Sequence, residues 1–245
     1  MIRIRRDPLE AWLKKMNAPV NDIVSSDFSR YTAAYHYYFL AMGRVLQHLS
    51  IAARYRDGAH YARKYNRKYT PHERRIAEQY NASRHYLEFD MANCLIHTRI
   101  LLDRVASLSR HFLQLPQLPS FHSFSDHKKF FERQTGLLPA HEEYAKYIRE
   151  KTGWFEMPLK EVRDKFVVHS APKHMAFLGF GEHNEGEWLI MLPDAQPPEK
   201  SFSKVRMITV NPLRMSYDIE QFLSWYGGYA GKLVKRGRIR VHQSK

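Results

Sequence analysis

The chain has 245 residues, enough to bury a substantial core without disulfides or a structural metal, as one large domain or two small ones. Lys and Arg outnumber Asp and Glu by 39 to 25, a formal charge of +14 that favours a polyanionic partner, nucleic acid or an acidic surface. The single cysteine, Cys94, excludes an intrachain disulfide, and no CxxC or Cys/His cluster of zinc-site spacing occurs, so a reducing compartment fits best.

The opening stretch MIRIRRDPLEAWLKKM is basic and lacks the uninterrupted apolar run of a signal peptide. No later run approaches the ~20 apolar residues that span a bilayer. A cytoplasmic chain without a membrane partner is expected. Between Phe28 and Arg56, Tyr31, Tyr35, Tyr38, Met42, Val45, Leu49 and Ala52 recur at alternating spacings of four and three, the stripe of an amphipathic helix. That helix should stop near Asp57-Gly58, where glycine supplies the freedom of a C-terminal cap.

The next start is Thr70-Pro71-His72-Glu73, with Thr70 as N-cap, Pro71 in the first helical position and Glu73 as the other half of a capping box. Ile76, Tyr80, Leu87, Met91, Cys94, Leu101, Val105, Leu108 and Phe112 continue the pattern up to Leu115-Pro116. One helix over this span would be about 60 Å long, so either a very long helix or a concealed break is expected. A connection follows, then a short helix from Asp126 to Gln134 and a polar one from Ala140 to Lys151. Pro158 should open another helix that runs to about Ser170, ahead of Pro172.

Met175–Gly181, Glu187–Leu192 and Lys204–Val210 read as three strands. Asn211-Pro212 then starts a last amphipathic helix bearing Met215, Ile219, Phe222, Tyr226, Tyr229 and Leu233, and the chain closes in a basic tail from about residue 232. The expected fold is mainly α: a helical bundle of four to five main helices with a small inserted antiparallel β meander near 175–210. The lack of βα alternation, of G-x-G-x-x-G and of G-x-x-x-x-G-K-[ST] argues against a Rossmann or P-loop enzyme.

Chemistry concentrates in Leu159-Lys-Glu-Val-Arg-Asp-Lys-Phe-Val-Val-His169-Ser. Arg163 stays charged and can grip two phosphate oxygens, while His169 titrates near neutrality and can serve as base or acid. On a regular helix the two would lie about 120° apart. They converge only if His169 sits at a frayed end or if two copies of the helix meet. The same residues also read structurally, with Arg163 on a carboxylate at the core edge and His169 against a helix dipole.

The span from Arg163 to His169, with Asp164 directly after the arginine, resembles the R-x(4-6)-H motif of the HEPN superfamily. The resemblance rests on about a dozen residues, Leu159 to Ser170. It implies a single all-helical domain over 1–245 and a metal-independent endoribonuclease of a toxin–antitoxin or phage-defence type. Its active site would be shared across a homodimer, with no cofactor. Arg163 and His169 would be catalytic, Asp164 would support them, Lys165 would contact phosphate, and an antitoxin or other protein partner would accompany the RNA. The alternative is a non-catalytic helical module that binds nucleic acid or scaffolds a protein.

Arg54 to Arg75 holds eight Lys or Arg residues against Asp57 and Glu73, with Tyr61, Tyr65 and Tyr69 four apart. If helical, Arg63, Lys64, Arg67 and Lys68 line a face beside a tyrosine stripe, an arrangement suited to single-stranded RNA. The competing reading packs the tyrosines inward and leaves the charges solvated. His85, Glu88, Asp90, His97 and Asp103 share the long second helix but lack the Glu-x-x-His pairs of a di-iron bundle. His141-Glu142-Glu143 is not HExxH, so no metal is expected.

Overall fold

A computed structural model describes residues 7–15, 26–64, 70–113, 119, 121–133, 141–160, 180–182, 188–193 and 207–235. Six α-helices dominate them: α1 (Pro8–Lys15), α2 (Ser26–Lys64), α3 (Pro71–Leu113), α4 (Phe124–Arg133), α5 (Glu142–Lys151) and α6 (Pro212–Lys235). Between α5 and α6, β1 (Phe180–Glu182), β2 (Trp188–Pro193) and β3 (Met207–Val210) pair antiparallel in the order β1-β2-β3. Their register matches Phe180 to Ile190 and Ile190 to Val210. The remainder of the stretches read as strands lies outside the described residues. Among the described residues no helix is long and apolar enough to cross a membrane.

Local chemistry explains the helix starts. Thr70 N–H donates to Glu73 Oε2 (2.8 Å) and Glu73 N–H donates to Thr70 Oγ1 (3.2 Å), the reciprocal pair expected of the capping box. Asn211 Oδ1 accepts from the Arg214 N–H at 3.0 Å and opens α6. Ser123 Oγ accepts from the Asp126 N–H at 3.1 Å and opens α4. In α3 no proline follows Pro71 and no glycine occurs, so nothing interrupts its ladder over 43 residues, roughly 65 Å.

Three helix boundaries differ from the sequence reading. α2 does not stop at Gly58 but runs to Lys64. Good helix formers follow that glycine, which costs an interior helix only about 1 kcal/mol. Helical geometry does not begin at Pro158 either, since a 3₁₀ turn (Gly153–Phe155) leads into a π turn (Glu156–Lys160) that contains it. α1 was not expected. Asp7 caps it, with Oδ1 accepting from the Leu9 N–H at 2.9 Å and the Glu10 N–H at 3.5 Å.

The chain divides into two compact units, Met1–Phe39 with His97–Leu159 and Ser216–Lys245, and Leu40–Ile96 with Lys160–Met215. The first is built on aromatic packing. Phe124 meets Phe155 at 4.9 Å and Phe222 at 5.5 Å, both edge to face, and Tyr147 stacks on Trp225 at 3.6 Å. Tyr226 donates to the Val105 carbonyl at 3.2 Å inside this core. In the second unit, Val45, Leu49 and Ala52 of α2 and Leu87, Met91 and Cys94 of α3 are buried, as foreseen from their spacing, and Leu95 of α3 is buried as well.

Candidate functional site

Of the residues to which the sequence assigned chemistry, Arg163, Asp164, Lys165 and His169 lie outside the described residues, as do Arg67 and Lys68. Arg63 and Lys64 close the last turn of α2.

Within the described residues, polar groups converge on Asp90. Its side chain is 3% exposed and lies on α3 in the second unit. Arg44 Nε donates to Asp90 Oδ1 at 2.8 Å, and His48 Nδ1 meets Oδ2 at 2.6 Å. Arg44 and His48 share one face of α2 because four residues separate them. A carboxylate buried this deeply must be met by donors, and here each oxygen has one. The His48 hydrogen bond fixes the tautomer with hydrogen on Nδ1, so Nε2 is the nitrogen turned to other work. Tyr86, one turn before Asp90, stacks on the His48 ring at 5.2 Å and 22°. The carboxylate therefore orients an imidazole and a guanidinium together, a set able to bind an anion or to position a proton carrier.

The sequence placed Asp90 and His97 on the long second helix among residues without a di-iron pattern. In the structure Asp90 makes polar contacts with Arg44 and His48, while His97 stacks on Tyr37 at 5.4 Å. Arg44 and His48 themselves went unnoticed. Their spacing of four was visible, but their partner is 46 and 42 residues away and only the fold supplies it. No group of three or more His, Cys, Asp or Glu able to hold a metal occurs among the described residues.

Comparison with protein-family models, curated proteins and solved structures finds no match.

The other polar clusters serve architecture. Asp103 accepts from the Phe124 N–H at 2.7 Å and pairs with Arg99 Nε at 3.1 Å, with the Arg99 guanidinium 4.7 Å from the Phe155 ring centre. His141 Nδ1 lies 2.8 Å from the Tyr229 hydroxyl, away from any metal-like arrangement with Glu142 or Glu143. Partial burial raises the Asp27 carboxyl, but hydrogen bonds and charge from His111 and Arg110 outweigh it and hold the group below its ordinary range.

Proposed function

We propose that this chain is an RNA-binding protein of HEPN type that cleaves RNA without metal, with Arg163 and His169 as the catalytic pair. The observation that carries the reading is the Arg163-Asp164-x(4)-His169 spacing in a mainly helical chain with a formal charge of +14. In this reading the sheet-forming stretch near 175–210 is an insertion into a helical bundle, and the protein works in the cytoplasm with an antitoxin or another protein partner.

The chemistry asks little more than these residues. His169 takes the proton of a ribose 2′-hydroxyl, which attacks the adjacent phosphorus as the 5′-oxygen leaves. Protonated His169 of a second subunit gives that oxygen its proton. Arg163 neutralises the charge that builds on the phosphate, and Lys165 with Arg63, Lys64, Arg67 and Lys68 holds flanking phosphates. Two subunits resolve the angular problem, because one regular helix would aim Arg163 and His169 apart.

The test is degradation of single-stranded RNA in EDTA by pure protein. Arg163→Ala and His169→Ala should each abolish cleavage while melting temperature and helical circular dichroism stay unchanged. Variants as active as the parent would assign the activity to a contaminant. Salt-sensitive RNA binding with no products would instead favour the non-catalytic binding module.

A further inference from the structure

The Asp90 cluster has features beyond those needed to tie α2 to α3. Arg44 meets the carboxylate through Nε alone, so the two terminal nitrogens of its fork have no partner among the described residues, and the side chain is 53% exposed. His48 spends Nδ1 on the same carboxylate, and Nε2 likewise has no partner among the described residues. Tyr86 is 56% exposed although one ring face rests on His48, so its other face is open to solvent. Phe89, the next residue on that side of α3, is 63% exposed. Guanidinium nitrogens and two aromatic faces are thus displayed together on one unit, beside an imidazole whose side chain is 17% exposed and over a carboxylate whose charge is already matched.

A purely structural ion pair needs neither of these aromatic side chains, which lie three residues apart on one side of α3 as an exposed apolar patch. Their interleaving with a guanidinium suits a ligand that carries both an anion and a flat apolar ring. With the excess positive charge of the whole chain, that ligand is a phosphodiester-linked nucleotide in a single strand, whose bases are free to stack. We propose that Arg44 and His48 bind a phosphate of single-stranded RNA while Tyr86 and Phe89 stack the adjoining bases, with Asp90 positioning the two phosphate-binding groups. The proposal deepens the RNA-binding reading given above and rests on it, but it does not depend on cleavage.

The experiment uses the full chain carrying Arg163→Ala and His169→Ala, with a fluorescein-labelled oligouridine read by anisotropy at several salt concentrations. Adding Arg44→Gln should weaken binding about 10-fold and lower the slope of log Kd against log salt by about one phosphate. Phe89→Ala and Tyr86→Ala should each weaken it roughly 5-fold or more with little change in that slope. Tyr217→Ala, a comparably exposed aromatic on α6, should leave Kd where it was. In the protein without substitutions near Asp90, ultraviolet crosslinking of 5-iodouridine-labelled RNA should map to the peptide containing Tyr86 and Phe89, which guards against variants that merely misfold. Binding equal to the parent in the three variants, crosslinks elsewhere, or a change in oligomeric state without a change in Kd would overturn this site and leave the catalytic reading standing. An unsubstituted chain that neither binds nor cleaves RNA would overturn both.

Discussion

The Tyr144 hydroxyl and Nε2 of His127 share a hydrogen bond of 2.9 Å within the first unit. Phe121 and Phe131 meet the imidazole edge to face at 4.9 Å, and Phe124 stacks on it at 5.5 Å. Nδ1 has no hydrogen-bond partner among the described residues. Burial pushes the imidazole down to about 3 and the Tyr144 hydroxyl well up, so both stay neutral in the folded protein at ordinary pH.

This pair predicts a pH dependence of stability. The unfolded chain protonates His127 near 6.5, whereas the folded one resists to about 3, so the unfolded state binds the extra proton throughout that window. The stability is fully present above 6.5 and is lost progressively as pH falls towards 3. His127→Phe should remove this part of the slope and, by stranding the Tyr144 hydroxyl, cost about 1–3 kcal/mol at pH 7. Urea titrations at several pH values check both, and identical slopes in the two proteins would refute the assignment.

Asp7 acts in the opposite sense. Burial raises its carboxyl to about 6 against the pull of the Tyr31 hydroxyl, which donates to Oδ1 at 2.7 Å. The folded state holds a proton that the unfolded state releases near 3.8, so its contribution is complete below that value and is lost as pH rises through 6. Asp7→Asn keeps an oxygen for the α1 cap and for Tyr31 without the charge. It should stabilise the protein at pH 7.5 by on the order of 2 kcal/mol and leave pH 4 nearly unaffected. Thermal melts at the two pH values decide, and equal shifts at both would rule the mechanism out.

Lys128 is buried, yet its ammonium pairs with Glu132 and lies 3.6 Å from Glu156, both of which are partly solvated. Lys128→Met should change stability by no more than about 1 kcal/mol, because the buried cation disappears and the carboxylates turn to water. Removing both glutamates instead should cost about 3 kcal/mol or more by leaving the cation unpaired. Chemical denaturation of the two variants separates these outcomes, and the reverse order would show that Lys128 contributes through its charge.

The Thr70–Glu73 box offers a test of local structure. Thr70→Ala should cost about 1 kcal/mol, and Glu73→Ala added to it should cost less than it does alone, since the two hydrogen bonds hold one helix end. Additive losses in a double-mutant cycle would mean that the two bonds act independently.

What could be read from the sequence followed the range of the interaction involved. The cap at Thr70 and the helicity of α3 depend on residues a few positions apart, and both were legible, whereas the choice between one long helix and a broken one stayed open until the structure showed a single helix. Gly58 misled because a glycine marks a helix end only when tertiary contacts favour the left-handed turn, and α2 continues through it. The Asp7-Pro8 start of α1 carried a cap signal that the basic stretch around it obscured. Arg44, His48 and Asp90 could not be joined by any local rule, since register between two helices brings them together. The Arg163–His169 motif was legible as spacing alone. The convergence that the proposed chemistry requires would take a helix end or a second subunit, neither of which spacing encodes.

Cys94 has one more use. It is the only thiol in the chain and is fully buried on the α3 stripe of the second unit. A soluble alkylating reagent reaches its sulfur only when that stretch opens. The labelling rate across reagent concentrations therefore measures the opening free energy of this one helix segment, without an introduced probe. Repeated with RNA present, the same measurement reports whether the ligand clamps the segment shut.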